Sequence, residues 1–364
     1  MPDTLFRYVM ARSARSLTIA FLVVTGIIML VDFVEANRDL GADVDITPMQ
    51  LLSLTLMKTP SLIEQTIPFV VLFGMMGAIN GMNRRSELIV MRASGQSAWT
   101  IIRPAVWLAG LVGLVWAVVV NPLATHLYDT FEKTAAEWIG GGPVPQEGTV
   151  WLREGRGDQQ IVIRADAMDM SDWTLDKATF LILDRDPDGK TRFSRRFDAS
   201  TATLSPNGYW QLRDVVENAP GEPMQKLRGL SMPTGMDAAA VIEQTGGETQ
   251  ASFWDMPGAI RDNEAAGFSA RALRLQFNRL LSLPVMLIAM TFIAAGVSMS
   301  LAREGGTLRL LIIGAALGFA VFFADSMVVA FGEVAIVPIV MATWSVPLVV
   351  LMLGITHLSR IEDG

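Results

Sequence analysis

The chain has 364 residues, of which 51% are hydrophobic, and its mean hydropathy is +0.39. This is too apolar for an ordinary soluble domain, and several uncharged runs approach the length that crosses a lipid bilayer. Cysteine is absent, which excludes disulfide and thiolate chemistry. The net charge of −7 is concentrated in residues 123–272, which carry 15 Lys and Arg against 23 Asp and Glu. An acidic segment of this kind does not indicate a nucleic-acid partner.

The first predicted span follows three basic residues, Arg7, Arg12 and Arg15. It covers Ser16–Val34 and leads into an acidic loop. A signal peptide also begins with basic residues, but this apolar run is long for one, and residues 34–36 are a poor cleavage site. We therefore expect a transmembrane helix that is retained in the mature protein.

The second and third spans are predicted at about Pro60–Met82 and Ile101–Pro122. The segment before them, Ile46–Ile63, begins at Thr47-Pro48, which is a helix-start signature. We expect it to lie partly in the membrane interface, and we expect Pro68 to kink the second span.

From Thr149 the sequence changes to a period of two residues, which is typical of strands. Turn sequences such as Pro206-Asn207-Gly208 separate the strand segments. The predicted strands are Thr149–Arg153, Gln160–Ala165, Ala178–Leu183, Arg192–Leu204, Tyr209–Val216 and Met224–Met232. Short strands joined by hairpins indicate an all-β sandwich, of which the jelly roll is one arrangement.

A charged helix, Arg261–Arg274, leads into three more spans, at about Phe277–Leu301, Leu308–Phe331 and Pro338–Leu358. The predicted fold is thus an integral membrane α-helical protein with six transmembrane helices, three before and three after an inserted all-β domain. Residues 1–122 are expected to contain the first three transmembrane helices. Residues 123–272 are expected to form the β domain and its connecting helix, and residues 273–364 the last three transmembrane helices.

Basic residues near the span ends predict the orientation, because they favour the cytoplasmic side. If six spans cross the membrane in alternate directions, nine arginines near the span ends lie on the same side. They are Arg7, Arg12, Arg15, Arg84, Arg85, Arg92, Arg303, Arg309 and Arg360. Both termini are therefore expected in the cytoplasm, and the β domain in the periplasm.

The inventory of reactive residues argues against an enzyme. No Walker A sequence occurs, and the nearest approach, Asp184–Thr191, lacks the required glycine and fits a hairpin tip better. The two histidines, His126 and His357, lie far apart in the sequence. They build neither a metal-ligand cluster nor a nucleophile pair. We expect no catalytic residue, no metal and no cofactor.

A short charged segment, Asn83–Gly95 (NRRSELIVMRASG), joins the second and third spans. Asn83 can cap the first turn of a helix and Gly95 can end the last, with one apolar and one charged side between them. The positive-inside rule explains the arginines by topology alone. The helical pattern, with Glu87 among the basic residues, instead favours a docking surface, and the spacing leaves both interpretations open.

The run SELIVMRASG at residues 86–95, preceded by Arg84-Arg85, resembles the coupling-helix signature of the LptF/LptG family, the permeases of lipopolysaccharide export. The resemblance extends to DFVEANRDLG at residues 32–41, to residues 67–95, to the central insertion and to residues 274–301. It implies a six-span inner-membrane permease with a periplasmic β-jellyroll. The implied partners are a dimer of the ATPase LptB, a paralogous permease, LptC and LptA, and the implied ligand is lipopolysaccharide.

The resemblance also implies how the coupling helix works. Glu87 would bind a basic residue of LptB, while Leu88 and Met91 would fill the groove of that ATPase. Three arginines would flank the contact, Arg84, Arg85 and Arg92.

Several cations lie near the outer span ends, against the topological bias: Arg38, Lys58, Arg271, Arg274 and Arg279. These side chains could reach phospholipid head groups or pair with Asp32 and Glu35. Alternatively they bind the phosphates of lipid A, and the resemblance favours this last interpretation. Asp325 would pack between helices or contact Arg279. In the second case it would help to shape, with Asp32, a lateral gate between spans one and five.

Two other functions also fit the pattern. A permease of a different ABC exporter would share the coupling segment, but it would not predict one β insertion between two sets of three spans. A non-transporting membrane scaffold for the β domain would need no ATPase partner.

Overall fold

A computed structural model of the protein describes residues 2–39, 46–139, 146–156, 159–169, 172–185, 191–205, 207–221, 223–236, 241, 251–265, 270–300 and 307–363. The chain forms two compact units. A helical unit comprises Met1–Phe131, Ala251–Pro257 and Arg271–Gly364, and a β unit comprises Glu132–Gln250 and Gly258–Ala270. The segment Ala251–Pro257, which the sequence assigns to the insertion, thus belongs to the helical unit.

The helices before the strands are α1 (Pro2–Asp39), α2 (Pro48–Glu64), α3 (Ile67–Arg84), α4 (Glu87–Ala93), α5 (Ala98–Val115) and α6 (Asn121–Ile139). A π-helical segment, Trp116–Val120, joins α5 to α6. The helices after the strands are α7 (Met256–Ala265), α8 (Arg271–Ser300), α9 (Thr307–Glu333) and α10 (Ile339–Asp363).

Within the described residues, five helical stretches are long and apolar enough to cross a membrane, or up to six if the bent pair of α2 and α3 counts as one span. The two helices of the pair meet at 76°. Thr47 and Gln50 form a capping box at the start of α2, as the helix-start signature predicts. The break falls between Glu64 and Ile67, and Pro68 lies in the first turn of α3, where proline is tolerated.

Helices α3 and α8 form the centre of the helical unit, and their packed faces are largely buried. A glycine allows one close approach, because a Cβ atom at Gly113 of α5 would lie only 2.6 Å from the Cα atom of Pro284 in α8. Helices α1 and α9 both pack against α3 but expose apolar side chains on their other faces. The exposed residues include Leu22, Leu30, Phe319, Phe323 and Met327.

A polar cluster joins three segments of the helical unit at the end of the π-helical segment. Asn121 is 4% exposed, donates to the Glu64 carboxylate at 3.0 Å and accepts from the backbone N–H of Phe253 at 3.0 Å. The indole N–H of Trp254 donates to the Val118 carbonyl at 3.1 Å. A π-helical turn shifts carbonyls out of the regular ladder, and these partners satisfy the polar groups there.

The β unit contains the six predicted strands: β1 (Gln146–Arg156), β2 (Gln159–Asp169), β3 (Thr174–Arg185), β4 (Thr191–Ser205), β5 (Tyr209–Asn218) and β6 (Gln225–Pro233). The inserted all-β domain is therefore confirmed. Each strand pairs antiparallel with the next in the chain, so the described strands form one sheet rather than the two sheets of a sandwich. Short hairpin connections favour this pairing of neighbours.

One face of the sheet carries the core of the β unit, with Ile163, Phe180 and Trp210 almost fully buried. The carboxylate of Glu154 in β1, only 4% exposed, accepts from the Thr234 hydroxyl at 2.7 Å and from the backbone N–H of Gly235. These bonds tie the first strand to the chain that follows the last strand. The sheet thus curls around its own core.

A cavity of about 470 Å³ is lined by residues of β2, β3, β4 and β6. Its apolar lining includes Ile182, Phe197 and Leu230, and polar groups of Asp184 and Arg195 join them.

Candidate docking and lipid-contact sites

The predicted coupling segment forms α4, a helix of seven residues. Asn83 does not cap it, because α3 continues to Arg84 and the residue before α4 is Ser86, in a left-handed conformation with φ 60°. The end of the helix is as predicted. Gly95 has φ 83°, its N–H donates to the Arg92 carbonyl, and the Gln96 N–H donates to the Met91 carbonyl, which is a Schellman motif.

The apolar side chains of α4 divide into two groups. Leu88 is 6% exposed and packs with Met91 in a cluster that includes Ile79 and Ile102. Ile89 and Val90 are 63% and 66% exposed. The exposed apolar surface of α4 is thus formed by Ile89 and Val90, whereas Leu88 packs against side chains of its own chain.

The two ends of α4 contact the first and the last helix of the chain, α1 and α10. The Tyr8 hydroxyl in α1 donates to Glu87 Oε2 at 2.8 Å. Arg92 forms an ion pair with Glu362 of α10 at 3.1 Å. The same Glu362 oxygen accepts the backbone N–H of Ala98, the first residue of α5, at 3.0 Å.

Two ion pairs connect helices at the predicted lipid-contact region. Lys58 of α2 lies 2.9 Å from Asp32 of α1, and Arg279 of α8 lies 3.5 Å from Asp325 of α9. The second pair is the Arg279–Asp325 contact considered from the sequence. The Arg279 side chain is nevertheless 46% exposed, so it can contact a further anion.

Arg271 has a different environment. Its guanidinium donates to the carbonyls of Gly332 and Val337, the second at 2.8 Å, and so caps the turn between α9 and α10. Arg274, one turn later, and Arg38, in the last turn of α1, have exposed side chains. The structure thus gives Arg271 a role in packing that the sequence did not indicate.

Sequence reasoning missed Tyr8, Glu362 and Asn121. The first two lie near opposite ends of the chain, and periodicity does not reveal pairs so distant in sequence. The predicted topology could have indicated the contacts of Tyr8 and Glu362, because it places both termini on the same side of the membrane as α4. Among the described residues, no group of three or more His, Cys, Asp or Glu side chains could hold a metal ion.

Comparison with known proteins places the sequence of this chain in a family. The chain is 27% identical over 158 residues to the lipopolysaccharide export system permease protein LptG of Haemophilus influenzae, and the match covers 43% of each protein. It therefore spans less than half the length of that relative. The family model for the lipopolysaccharide export system permease LptF/LptG matches residues 7–360. Because this match covers nearly the whole chain, the protein belongs to the LptF/LptG family.

Proposed function

We propose that this chain is a permease subunit of an ABC-type lipopolysaccharide exporter, driven by ATP hydrolysis on a separate LptB dimer. The observation that carries the proposal is the family match over residues 7–360, which includes both sets of spans and the β insertion. The 364-residue sequence has no Walker A motif, which supports a motor on another chain.

Apolar spans and family membership make the chain a multi-pass protein of the inner membrane. Its arginine-rich side, with both termini and α4, would face the cytoplasm, and the β unit would face the periplasm. This orientation follows from the distribution of basic residues.

Helix α4 would dock in a groove of LptB. Ile89 and Val90 replace Leu88 and Met91 as the residues that would fill the groove, because they are the exposed apolar pair. Glu87 would bind a basic residue of LptB through the carboxylate oxygen that Tyr8 does not use. The exposed Arg84 and Arg85, with Arg92, would flank this contact.

Spans one and five, α1 and α9, would line a lipid cavity together with those of the paralogous permease. Their exposed apolar faces support this arrangement. Arg38, Arg274 and Arg279 would contact the phosphates of the lipid, while Arg271 would support them by fixing the turn after α9. Asp32 and Asp325 would set the gate through their ion pairs with Lys58 and Arg279.

The lipid would then pass to the β unit and from there to LptC and LptA. The cavity of about 470 Å³ offers partly buried apolar side chains such as Ile182 and Leu230 to acyl chains. Ile161, Ile163 and Phe180 are buried core residues. An edge strand, β1 or β6, would pair with a strand of the next protein.

Of the two paralogues, we propose LptG, which makes LptF the partner permease. The match to LptG of Haemophilus influenzae supports this choice. So do the exit of the first span, residues 32–41, and the run FFADSMVVAFG at residues 322–332.

The test is an Ile89→Ser/Val90→Ser double variant in the complex of this chain, its paralogue and LptB of the same organism. Loss of two buried apolar contacts, at roughly 1–2 kcal/mol each, should weaken the apparent affinity for LptB by about 30-fold or more. The measurement is a titration of LptB against the ATPase rate of the complex in lipid nanodiscs.

Val334→Ser is the matched control. Val334 is as exposed as Ile89 and Val90, at 65%, but it directly follows the last residue of α9 and is not part of α4. It should leave the titration unchanged. An unchanged affinity in the double variant would reject α4 as the docking element, and normal lipopolysaccharide export by that variant would reject its coupling role.

A further inference from the structure

Helix α4 cannot fix its own orientation. It has only seven residues, fewer than a helix needs to be stable alone. Left-handed residues stand at both ends, Ser86 with φ 60° and Gly95 with φ 83°. For a serine this conformation is strained and persists only where surrounding contacts hold it. The angle of α4 must therefore be set by what it touches.

The two polar contacts of α4 are placed at its two ends. Glu87 is the first residue of the helix and accepts from Tyr8 of α1. Arg92 lies in the last turn and pairs with Glu362 of α10. An acid at the start and a base at the end also suit the helix dipole, so both side chains favour the helical state of this short segment.

Glu362 has a second effect through the same oxygen. By accepting the N–H of Ala98 it satisfies a free donor at the start of α5, while its ion pair holds Arg92. One carboxylate thus links the end of α4, the start of α5 and the end of α10. Tyr8 provides the corresponding link from α1.

We propose that Tyr8 and Glu362 are positioning residues for coupling: they hold the two ends of α4 from the first and last helices and so fix the direction in which Ile89 and Val90 face their partner. The inference rests on the proposed docking function of α4. It adds that movement of α4 is transmitted to α1 and α10 through these two contacts.

The natural absence of cysteine allows a direct test. Spin labels at Ala93→Cys in α4 and Val334→Cys beyond α9 report the position of α4 by pulsed electron paramagnetic resonance. The sample is the full chain in nanodiscs with its paralogue and a cysteine-free LptB. The near-isosteric variants Tyr8→Phe and Glu362→Gln remove one hydroxyl and one charge respectively.

Each variant should broaden or shift the distance distribution, and each should weaken the apparent affinity for LptB about fivefold, since a hydrogen bond is worth about 1 kcal/mol. The ATPase rate at saturating LptB should stay within about twofold, because a positioning residue does not take part in hydrolysis. Tyr209→Phe in β5 and Glu333→Gln at the end of α9 are the matched controls and should change neither readout.

Unchanged distance distributions in both variants would overturn the inference. Changed distances with an unchanged affinity for LptB would also overturn it, because the contacts would then be structural only. Failure of the docking proposal has a different signature, namely normal LptB affinity in the Ile89→Ser/Val90→Ser variant. The distance measurement does not depend on that result.

Discussion

At the scale of single residues, polar side chains determine how the ends of elements meet. Arg271 closes the turn between α9 and α10, and Glu154 joins β1 to the residues after β6. Each satisfies two partners at once. A substitution therefore removes two hydrogen bonds, and the cost is larger than that of one surface contact.

We expect Arg271→Ala to lower the free energy of unfolding by about 2 kcal/mol, because two charge-assisted hydrogen bonds are lost. The Gly332 carbonyl keeps the N–H of Ala335 as a donor, whereas the Val337 carbonyl loses the guanidinium. Arg271→Lys should recover only part of this loss. The lysine ammonium donates from one nitrogen, whereas the arginine guanidinium reaches the two carbonyls with two different nitrogens. The measurement is thermal unfolding of the full chain in detergent.

Arg360→Ala, at an exposed position in the last turn of α10, is the control and should change stability by less than about 0.5 kcal/mol. If Arg271→Ala melts like the unmodified protein but loses photocrosslinking to lipopolysaccharide, the lipid-contact role first expected for Arg271 would replace the packing role.

At the scale of elements, the π-helical segment of the third span is the feature that the sequence did not predict. The π-helical segment Trp116–Val120 interrupts an apolar run that reads as one continuous span. It is held by Asn121 and by Trp254, which comes more than 130 residues later in the chain. A pattern of apolar residues gives no sign of such a distant partner.

We expect Asn121→Ala to destabilise the helical unit by about 2–3 kcal/mol, because it deprives both Glu64 and the Phe253 N–H of a partner in a buried site. Asn278→Ala is the matched control, since among the described residues Asn278 donates to the Arg274 carbonyl of its own helix. Equal melting temperatures for the two variants would contradict a special role of Asn121.

Local patterns were sufficient for most elements. The six strands follow from alternation, and the Schellman end of α4 follows from Gly95. Two details failed for physical reasons. Asn83 was expected to cap α4, but the third helix uses it, and Leu88 was expected to face a partner, but its own core buries it. Which of two neighbouring apolar residues is buried depends on tertiary packing, which spacing does not contain.

At the scale of the whole molecule, the apolar surface is unevenly distributed. Helices α3 and α8 are central, whereas α1 and α9 keep broad apolar faces uncovered. Large exposed apolar faces in a membrane unit meet lipid or another subunit. The proposed pairing with a paralogue places both kinds of neighbour along these two helices.

We expect a photoreactive amino acid at Phe323, which is 62% exposed, to crosslink to the paralogue or to lipopolysaccharide. The same amino acid at Met290, which is 1% exposed in α8, should give neither product. The measurement is immunoblotting of irradiated membranes for the shifted bands. Crosslinks to neither partner from Phe323, at normal expression, would place α9 away from the cavity.

The first helix has one further consequence. With 38 residues, α1 is about 57 Å long, nearly twice the thickness of the hydrocarbon layer of about 30 Å. Tyr8 and Asp32 lie 24 residues apart on this one helix, about 36 Å, and each is bonded to a different neighbour. Both contacts thus belong to one continuous helix, one in its first part and one in its last. Under the proposed coupling role of α4, a displacement of α4 would be transmitted to the Lys58–Asp32 pair through the backbone of this one helix.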